Sequence, residues 1–376
     1  MFAIGLSQKK KGIHSFDIPK PEISTGDEVL IRILQTGIGG TDRSLLKHHL
    51  VDPPETDDFL ILGHETFGVV EDLGDQVRGL KKGDVIVPMV RRGCGICPSC
   101  RHNKSDYCYT GLFKEHGIHK LHGFLTSYTV VPAKYVVKVP RGLRDVAIWA
   151  ESLSIVEKAI AQMRLVQMRV PNLCDHPQHE WHDKNWGGCK RALVIGAGPI
   201  GFLATALLRL EQMEVYVLEI VPEDSLKVQL VKEMGAHFVD GNTFPPEKIV
   251  EAIGHVDIIF EASGVSDLAL QFIPLMARNS VYVMTGIPRA EIKPTEVDAN
   301  LLLRHIVRQN QVIIGSVNGN REHFERALIH MIRIEKTFHS ILERAITHHF
   351  PLKDFEKGFY LKDPNQIKVV FQVHSK

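Results

Sequence analysis

Four cysteines at short intervals are the residues of this sequence whose spacing most clearly suggests chemistry. They are separated by two, two and seven residues and are Cys94, Cys97, Cys100 and Cys108. Two-residue gaps let successive thiolates turn onto one ion, and four thiolates complete a closed tetrahedral zinc site with no open position. An iron–sulfur cluster can use a similar spacing. The pattern therefore predicts a structural metal, which we assign as zinc.

A second group of potential ligands has a different chemistry. Gly63-His64-Glu65 lies between apolar segments, and Glu151 opens a later apolar segment. One imidazole and two carboxylates can hold a catalytic zinc that keeps a position open for substrate. A lone His-Glu pair would indicate little, but here it accompanies the four cysteines and a dinucleotide motif.

The dinucleotide motif lies in the second half of the chain. Gly196, Gly198 and Gly201 follow the apolar run Ala192–Ile195 as G-x-G-x-x-G, and Pro199 with Ile200 opens the next helix. The first glycine allows a tight turn, the second lets backbone approach a pyrophosphate, and the third lets helix pack on strand. The unpaired N–H groups of the helix N-terminus favour phosphate. The motif predicts NAD(P) binding.

The ends of the following strands bear on which dinucleotide is bound. Glu219 comes 18 residues after Gly201 and is not followed by Lys or Arg until Lys227. A carboxylate at this position holds the ribose hydroxyls and repels a 2′-phosphate, so NAD is favoured and NADP is possible. An acidic residue that only ends the strand is the alternative. The turns with Ser263-Gly264 and Gly286 end the next two strands and are expected to line the cofactor.

These residues must be positioned by two kinds of domain. The first part has short strands with turn residues between them, which predicts a β-rich, partly open barrel. Its predicted strands are Glu28–Leu34, Gly68–Leu73, Asp84–Pro88, Ser127–Val131 and Tyr135–Val139. A helix is predicted over Ser154–Met168, and residues 171–189 are predicted to form a surface connection.

Strands and helices alternate from Arg191 onward, which predicts an α/β, doubly wound parallel sheet. The predicted strands are Ala192–Gly196, Glu214–Glu219, Val256–Ala262, Ser280–Thr285 and Val312–Gly315. The predicted helices are Pro199–Leu210, Ser225–Met234, Ser266–Ala277 and Arg321–Glu335. We expect residues 1–155, completed by 320–376, to form one domain and residues 156–319 to form the cofactor domain.

Composition excludes several classes of function. The chain has 376 residues, 45 basic and 44 acidic side chains, and a net charge of +1. A nucleic-acid or membrane-surface partner would favour a basic excess, so neither is expected. The N-terminal segment has no apolar core of a secretory signal. Cysteines arranged as metal ligands fit a reducing compartment, so a cytoplasmic protein is expected.

The order of these motifs resembles the zinc-dependent medium-chain dehydrogenase/reductase superfamily over essentially the whole chain. Within it the sequence is most similar to the microbial glucose (aldose) 1-dehydrogenases. The supporting segments are Gly40–Arg43, Gly63–Glu65, Glu115–Ile118, Glu151–Ala159 and Gly315–Asn318. The first two and the cysteine segment are common to the superfamily, and the other three are more specific to the aldose branch.

The resemblance implies a fold, a site and an assembly. A GroES-like catalytic domain and a Rossmann domain are expected, in a homodimer or homotetramer. Thr41 matches the hydroxyl that relays a proton from the substrate alcohol, and His64, Glu65 and Glu151 match groups that bind or approach zinc. Contacts to a sugar or the nicotinamide are implied for Glu115, Glu157 and Asn318. An ion pair of Glu157 with Lys158 or with another neighbour is the alternative for Glu157.

Position 39 departs from the family pattern. Relatives have cysteine, or in some cases aspartate, just before Gly-Thr-Asp, but this chain has Gly39, which cannot ligate. Zinc would retain His64, Glu65, Glu151 and water. Three explanations are open: a rearranged carboxylate-rich site, loss of the catalytic metal with much of the activity, or a non-native residue at position 39.

The hypothesis from the sequence is oxidation of a sugar C1 hydroxyl to the lactone with NAD(P) as hydride acceptor. Other zinc-dependent polyol, alcohol or amino-alcohol dehydrogenases are the alternative within the same class. A catalytically impaired NAD-binding protein is the alternative from another class, and only Gly39 supports it.

Overall fold

The computed structural model describes residues 1–170, 187–288 and 296–374. Its described residues divide into two compact units. The first contains residues 1–154, 318–333 and 342–376, and the second contains residues 155–317 and 334–341. Most of the predicted surface connection, residues 171–186, lies outside the described residues.

The first unit is built mainly of short strands. Its strands up to residue 138 are β1 Phe2–Ser7, β2 Ile13–Asp17, β3 Glu28–Ile38, β4 Phe59–Ile61, β5 Glu65–Leu73, β6 Val85–Pro88, β7 Arg91–Arg92, β8 Lys114–His116, β9 Lys120–Leu121, β10 Tyr128–Pro132 and β11 Val136–Lys138. The helices of this part are α1 Gly40–His48, α2 Pro98–Arg101 and α3 Ala150–Gln167, of which α3 continues into the second unit.

The second unit contains a six-stranded parallel sheet. Its strands are β12 Arg191–Ile195, β13 Glu214–Glu219, β14 His237–Asp240, β15 Val256–Glu261, β16 Met276–Met284 and β17 Val312–Gly315. Its helices are α4 Pro199–Leu210, α5 Leu226–Glu233, α6 Pro246–Ile253, α7 Ser266–Gln271 and α8 Ala299–Arg308. The strand order is β14-β13-β12-β15-β16-β17, the doubly wound Rossmann order that places a ligand crevice at the carboxyl ends of β12 and β15. The predicted α/β fold class is confirmed.

The chain returns to the first unit at its C-terminal end. The last elements are α9 Arg321–Phe338, α10 Ile341–Arg344, β18 Ile346–Pro351, α11 Phe355–Phe359 and β19 Lys368–Gln372. Strand β19 pairs antiparallel with β3, which also pairs with β5 and β10. A seven-stranded sheet results, and its apolar side chains, such as Val29 and Ile31, pack into the core of the unit. This arrangement is the predicted β-rich domain.

Two helix predictions were wrong in extent. The helix predicted over Ser266–Ala277 ends earlier and is followed by a 3-10 turn at Ile273–Leu275, so β16 begins at Met276 rather than Ser280. Pro274 has no N–H and disfavours helical backbone in the residue before it, which explains the early end. Helix α3 begins before the predicted start, which places its functional carboxylate inside the first helical turn.

No described helix combines the length and the apolar character that crossing a bilayer requires.

Candidate active site

Three buried side chains converge as the sequence predicted. His64 directly precedes β5, Glu65 begins it, and Glu151 lies in the first turn of α3. Their potential ligand atoms all lie within 4.8 Å of one another. Gly63 has a φ of +87°, and a Cβ there would lie 2.7 Å from Thr36 Cγ2, so only glycine makes this turn. The chain therefore brings an imidazole and two carboxylates together in a buried position.

Asp42 on α1 lies beside the His64 ring. Its carboxylate accepts hydrogen bonds from the N–H groups of Gly39 at 2.8 Å and Gly63 at 3.0 Å, and its Oδ2 lies 3.2 Å from His64 Nδ1. Burial would raise the pKa of Asp42, but the His64 ring and the two N–H groups hold it below its ordinary value. A proton on Nδ1 faces this carboxylate, which leaves Nε2 for a metal.

The charges of the site depend on whether a cation is bound. Burial alone would lower the pKa of His64, but the surrounding carboxylates, with Asp42 contributing most, raise it to about 10. Burial, and then the charge of Glu65, raise the pKa of Glu151 to about 7 against the opposing effect of His64. The metal-free site therefore retains protons near neutral pH, and these are the protons that a divalent cation displaces.

Lys368 and Ser152 hold Glu65. The Lys368 ammonium is fully buried and forms an ion pair with Glu65 Oε2, and it lies 3.1 Å from Ser152 Oγ. Ser152 in turn donates to Glu65 Oε1 at 2.9 Å. The ammonium also lies 4.9 Å from the centre of the Trp149 ring. Both carboxylate oxygens of Glu65 are thus fixed by donors of the first unit.

Residue 39 faces the same site. A Cβ added to Gly39 would lie 3.0 Å from His64 Nε2 and 3.4 Å from Glu65 Oε1. The φ of Gly39 is −91° and its ψ is 171°, an extended conformation that any residue can adopt. A side chain at this position would therefore point at the potential ligand atoms. Residue 39 therefore lies, in space as well as in sequence, where a side chain would face His64 and Glu65.

The buried residues present nevertheless fit a metal. His64, Glu65 and Glu151 offer three ligands of the types that bind catalytic zinc, and Asp42 supplies a carboxylate beside the histidine, as such sites use. Thr41 precedes Asp42 on α1 and is half-buried. Its hydroxyl has no hydrogen-bond partner within the described parts of the chain.

The four cysteines form a second cluster. Cys94, Cys97, Cys100 and Cys108 offer sulfur atoms that all lie within 4.8 Å of one another. The N–H of Cys97 points to Cys94 Sγ at 3.4 Å, and that of Cys100 points to Cys97 Sγ at 3.5 Å.

The four thiols cannot all ionise without a cation. The Thr110 hydroxyl and the Cys97 N–H lower the pKa of Cys94 to about 6, whereas burial and neighbouring sulfurs raise that of Cys100 to about 12. The cluster therefore fits a closed tetrathiolate zinc site.

Glu115 and Asn318 are brought together in the first unit. Both are buried, and Glu115 Oε1 accepts from Asn318 Nδ2 at 2.6 Å and from Arg91 Nε at 2.9 Å. The segment after Glu115 packs against the residue before His64, because a Cβ at Gly117 would lie 2.7 Å from the carbonyl oxygen of Gly63. Glu115 thus lies two residues from a backbone contact with Gly63, and Asn318 reaches it from a distant part of the chain.

Glu157 lies further along α3 and is buried. The next helix residue, Lys158, donates to the carbonyl oxygen of Val317 at 2.9 Å.

The glycine-rich turn has the predicted geometry in the second unit. Gly196 has a φ of +89°, and a Cβ at Gly201 would lie 1.8 Å from the Gly196 oxygen. A Cβ at Gly198 would meet no atom within 4 Å, so its backbone borders open space. Pro199 and Ile200 begin α4, whose N-cap has no capping side chain, so its first N–H groups remain available for phosphate.

Glu219 lies beside this turn at the end of β13. Its Oε2 accepts from the Ala197 N–H at 2.9 Å and lies 3.4 Å from Lys227 Nζ, and its Oε1 accepts from the Ile220 N–H at 2.9 Å. The sequence placed Lys227 too far along the chain to matter, but the start of α5 brings it back to the carboxylate. Lys227 offsets part of the charge that was expected to exclude a 2′-phosphate.

The predicted loops of Ser263, Gly264 and Gly286 adjoin the same edge of the sheet. The Cβ position of Gly196 lies 3.3 Å from Ser263 Cα, and that of Gly286 lies 2.3 Å from Gly264 N. The side chain of Glu261 organises the first loop by accepting from the N–H groups of Ser263 and Gly264.

Sequence reasoning missed the residues that orient others. Asp42 was visible in the Gly-Thr-Asp segment but was given no role. A lysine in the apolar strand Lys368-Val-Val-Phe was a detectable signal of a buried charge. Ser152 and Arg91 carried no signal, because their roles depend on distant partners.

Comparisons with known proteins agree with this geometry. The model of the glucose dehydrogenase C-terminus matches residues 144–373, and that of the alcohol dehydrogenase GroES-like domain matches residues 25–141. A glucose 1-dehydrogenase of Methanocella arvoryzae is 35% identical over 97% of this chain and 97% of its own length. One of Thermoproteus tenax is 35% identical over 96% of this chain and 95% of its own.

A solved structure is also similar over its full length. It is Haloferax mediterranei glucose dehydrogenase in complex with NADP, zinc and gluconolactone, with 29% identity, a TM-score of 0.88 and complete coverage of both chains. The match spans both units and includes the predicted GroES-like and Rossmann folds. The chain therefore belongs to the glucose dehydrogenase family of the zinc-dependent medium-chain dehydrogenases/reductases.

Proposed function

We propose that this protein oxidises the C1 hydroxyl of glucose or a closely similar aldose to the lactone, with NAD(P) as the hydride acceptor. The observation that carries the proposal is the buried pair of Glu115 and Asn318, because Glu115 begins a segment whose Gly117 packs against Gly63, the residue before His64. A simple alcohol needs no such polar pair, whereas the hydroxyl groups of a sugar do. Relatives named glucose 1-dehydrogenases support the same substrate class.

We assign His64, Glu65 and Glu151 to a catalytic zinc, and the four cysteines of the second cluster to a structural zinc. When bound, the catalytic zinc polarises the C1 oxygen and lowers the pKa of the hydroxyl, and the nicotinamide accepts the hydride. Asp42 and Lys368 hold His64 and Glu65 in position.

The remaining site residues handle the proton, the sugar and the cofactor. Thr41 passes the hydroxyl proton outward from the substrate. Glu115 and Asn318 orient the sugar, and Asn318 also borders the nicotinamide. Glu157 adds a polar group on α3. The cofactor contacts are Gly196, Gly198, Pro199, Ile200, Gly201, Glu219, Ser263, Gly264 and Gly286.

The domain roles and the setting are part of the same proposal. The first unit holds the metals, Glu115 and Asn318, and the second unit holds NAD(P). We place the enzyme in the cytoplasm, where thiolates stay reduced and NAD(P) is supplied.

We also propose a homo-oligomer that forms through the edge of the Rossmann sheet. Strand β17 is the last strand of that sheet, and the adjacent α8 exposes Leu301, Leu303 and Val307. A second copy would cover this edge and these side chains. Sedimentation should give a dimer or tetramer for the native chain, and Leu303→Lys with Val307→Lys should shift it toward monomer. A monomeric native chain would contradict this assembly.

The activity is tested by following deuterium from C1. Glucose that carries deuterium at C1 should transfer it to the reduced nicotinamide and yield the lactone. The matched control is 1,5-anhydroglucitol, which lacks only the C1 hydroxyl and should not react. Turnover of polyols, alcohols or amino alcohols but not of aldoses would favour the alternative dehydrogenases. Tight NAD(P) binding with no turnover of any substrate would favour an impaired enzyme.

A further inference from the structure

Arg91 is a buried cation that has no part in the mechanism above. It lies on β7, which pairs antiparallel with β8 so that Arg91 stands directly opposite Glu115. Side chains of directly opposite residues lie on the same face of a sheet and contact each other. The backbone pairing itself therefore brings this guanidinium to the carboxylate proposed to bind sugar.

The guanidinium is held from three sides. Its Nε donates to Glu115 Oε1 at 2.9 Å, and its Nη1 donates to the carbonyl oxygen of Asp106 at 3.2 Å. Its central carbon lies 3.8 Å from the centre of the Phe113 ring, a stacking contact that suits a planar guanidinium. Asp106 belongs to the 3-10 turn that leads into Cys108. Arg91 thus connects the four-cysteine lobe to Glu115 and has little freedom to rotate.

The two oxygens of Glu115 are used differently as a result. Oε1 accepts from both Arg91 and Asn318, whereas Oε2 has no hydrogen-bond partner among the residues that the structure describes. A carboxylate with one oxygen fixed by a planar donor presents its other oxygen in a defined direction. That oxygen is the acceptor that a sugar hydroxyl needs.

We propose that Arg91 is a positioning residue for the sugar: it fixes Oε1 of Glu115 so that Oε2 is aimed at a substrate hydroxyl. This inference rests on the proposed function, because it takes Glu115 to be a sugar contact. It assigns Arg91 no contact with the substrate and no effect on the cofactor.

Arg92 provides the matched control. It is the next residue on the same strand and is also largely enclosed, but it donates to His116 Nε2 at 3.1 Å and to the Val130 carbonyl oxygen at 3.2 Å. Arg92→Met removes a comparable side chain from the same strand pair without removing a hydrogen bond of Glu115. A general disturbance of the strand pair would affect both variants alike.

The experiment measures the affinity of the zinc-loaded enzyme with NAD(P) for glucono-1,5-lactone by calorimetry. Arg91→Met should weaken binding about 10- to 100-fold, the range that corresponds to the loss of one hydrogen bond to a charged group. Arg91→Lys keeps the positive charge but not the planar guanidinium, so it should lose less lactone affinity than Arg91→Met. It replaces Arg91→Met in the experiment if the methionine variant does not fold. Affinity for NAD(P) should not change in either variant.

A double-mutant cycle separates positioning from a merely structural role. In a Glu115→Gln background, Arg91→Met should cause little further loss of lactone affinity, because both changes remove the same interaction. Fully additive losses, an equal loss in Arg92→Met, or unchanged lactone binding in Arg91→Met would each overturn the positioning role. Native enzyme that binds neither lactone nor glucose would instead overturn the proposed function, and this inference with it.

Discussion

Gly39→Cys should create a stronger catalytic zinc site, because position 39 already faces the ligands. The added Cβ would lie 3.0 Å from His64 Nε2 and 3.4 Å from Glu65 Oε1, and the backbone conformation accepts a side chain. The thiolate sulfur lies one bond beyond this Cβ and can approach the position that the three existing ligands share. The change supplies a fourth protein ligand and one negative charge.

The expected gain follows from the energetics of zinc sites. Four-ligand structural sites bind with about 10–16 kcal/mol, or roughly 2.5–4 kcal/mol for each ligand. The tight approach to His64 requires the ring to shift by a few tenths of an ångström, at a cost of about 1 kcal/mol. The net gain is about 1.5–3 kcal/mol, which corresponds to roughly 10- to 150-fold tighter binding.

Competition with a chelator of known zinc affinity measures this gain in zinc binding. The protein used already carries zinc at its four cysteines. Gly40→Cys is the control, because it adds the same thiol one residue along, where a Cβ meets no atom within 4 Å. If Gly39→Cys binds the second zinc no more tightly than Gly40→Cys, residue 39 does not face the metal and our account of the missing ligand fails. If the native chain already binds two zinc ions and oxidises glucose, the carboxylate-rich site functions without a fourth ligand.

Three further predictions concern charges around the two sites. In metal-free protein the raised pKa values of Glu151 and His64, about 7 and about 10, mean that the folded state binds extra protons; its stability should be greatest at acidic pH and fall as pH rises from 4.5 through 10. Thermal unfolding across this pH range measures whether stability falls or rises with pH, and bound zinc should reduce the fall. A metal-free protein that becomes more stable as pH rises would contradict this prediction. Lys368→Met should leave Glu65 buried without its cation and lower the free energy of unfolding by about 3–5 kcal/mol in denaturant titrations, whereas a change under about 1 kcal/mol would mean that water solvates the carboxylate. Glu219→Ala should raise the ratio of kcat/KM for NADP to that for NAD by about tenfold or more, because it removes the carboxylate that disfavours a 2′-phosphate; an unchanged ratio would mean that Lys227 already neutralises it.

Local patterns predicted the features that depend on neighbours in sequence. Three such patterns are the cysteine spacing, the glycine-rich turn and the alternation of strands and helices, and the geometry of each depends on residues close in sequence. The structure confirms the fold class that they indicated. The end of α7 was predicted wrongly, although its cause, Pro274, was also local. Its effect was underestimated because apolar periodicity continued through it.

Long-range contacts decided the rest. Nothing in the sequence near Glu65 indicates Lys368, which arrives through the pairing of β19 with β3. The sequence indicated no role for Lys227 because it lies eight residues after Glu219, but the turn into α5 brings the two side chains together. Arg91 meets Glu115 only because β7 and β8 pair in one register.

The sequence by itself determined the family, the two kinds of domain and the residue types of each site, because motif spacing and hydrophobic period are properties of short segments. It also predicted that Gly39 stands at a ligand position. Only the tertiary structure decided which oxygens and nitrogens are fixed and which remain available to a metal or a substrate. Those assignments depend on hydrogen bonds between segments far apart in the chain, and such bonds exist only after the strands have paired.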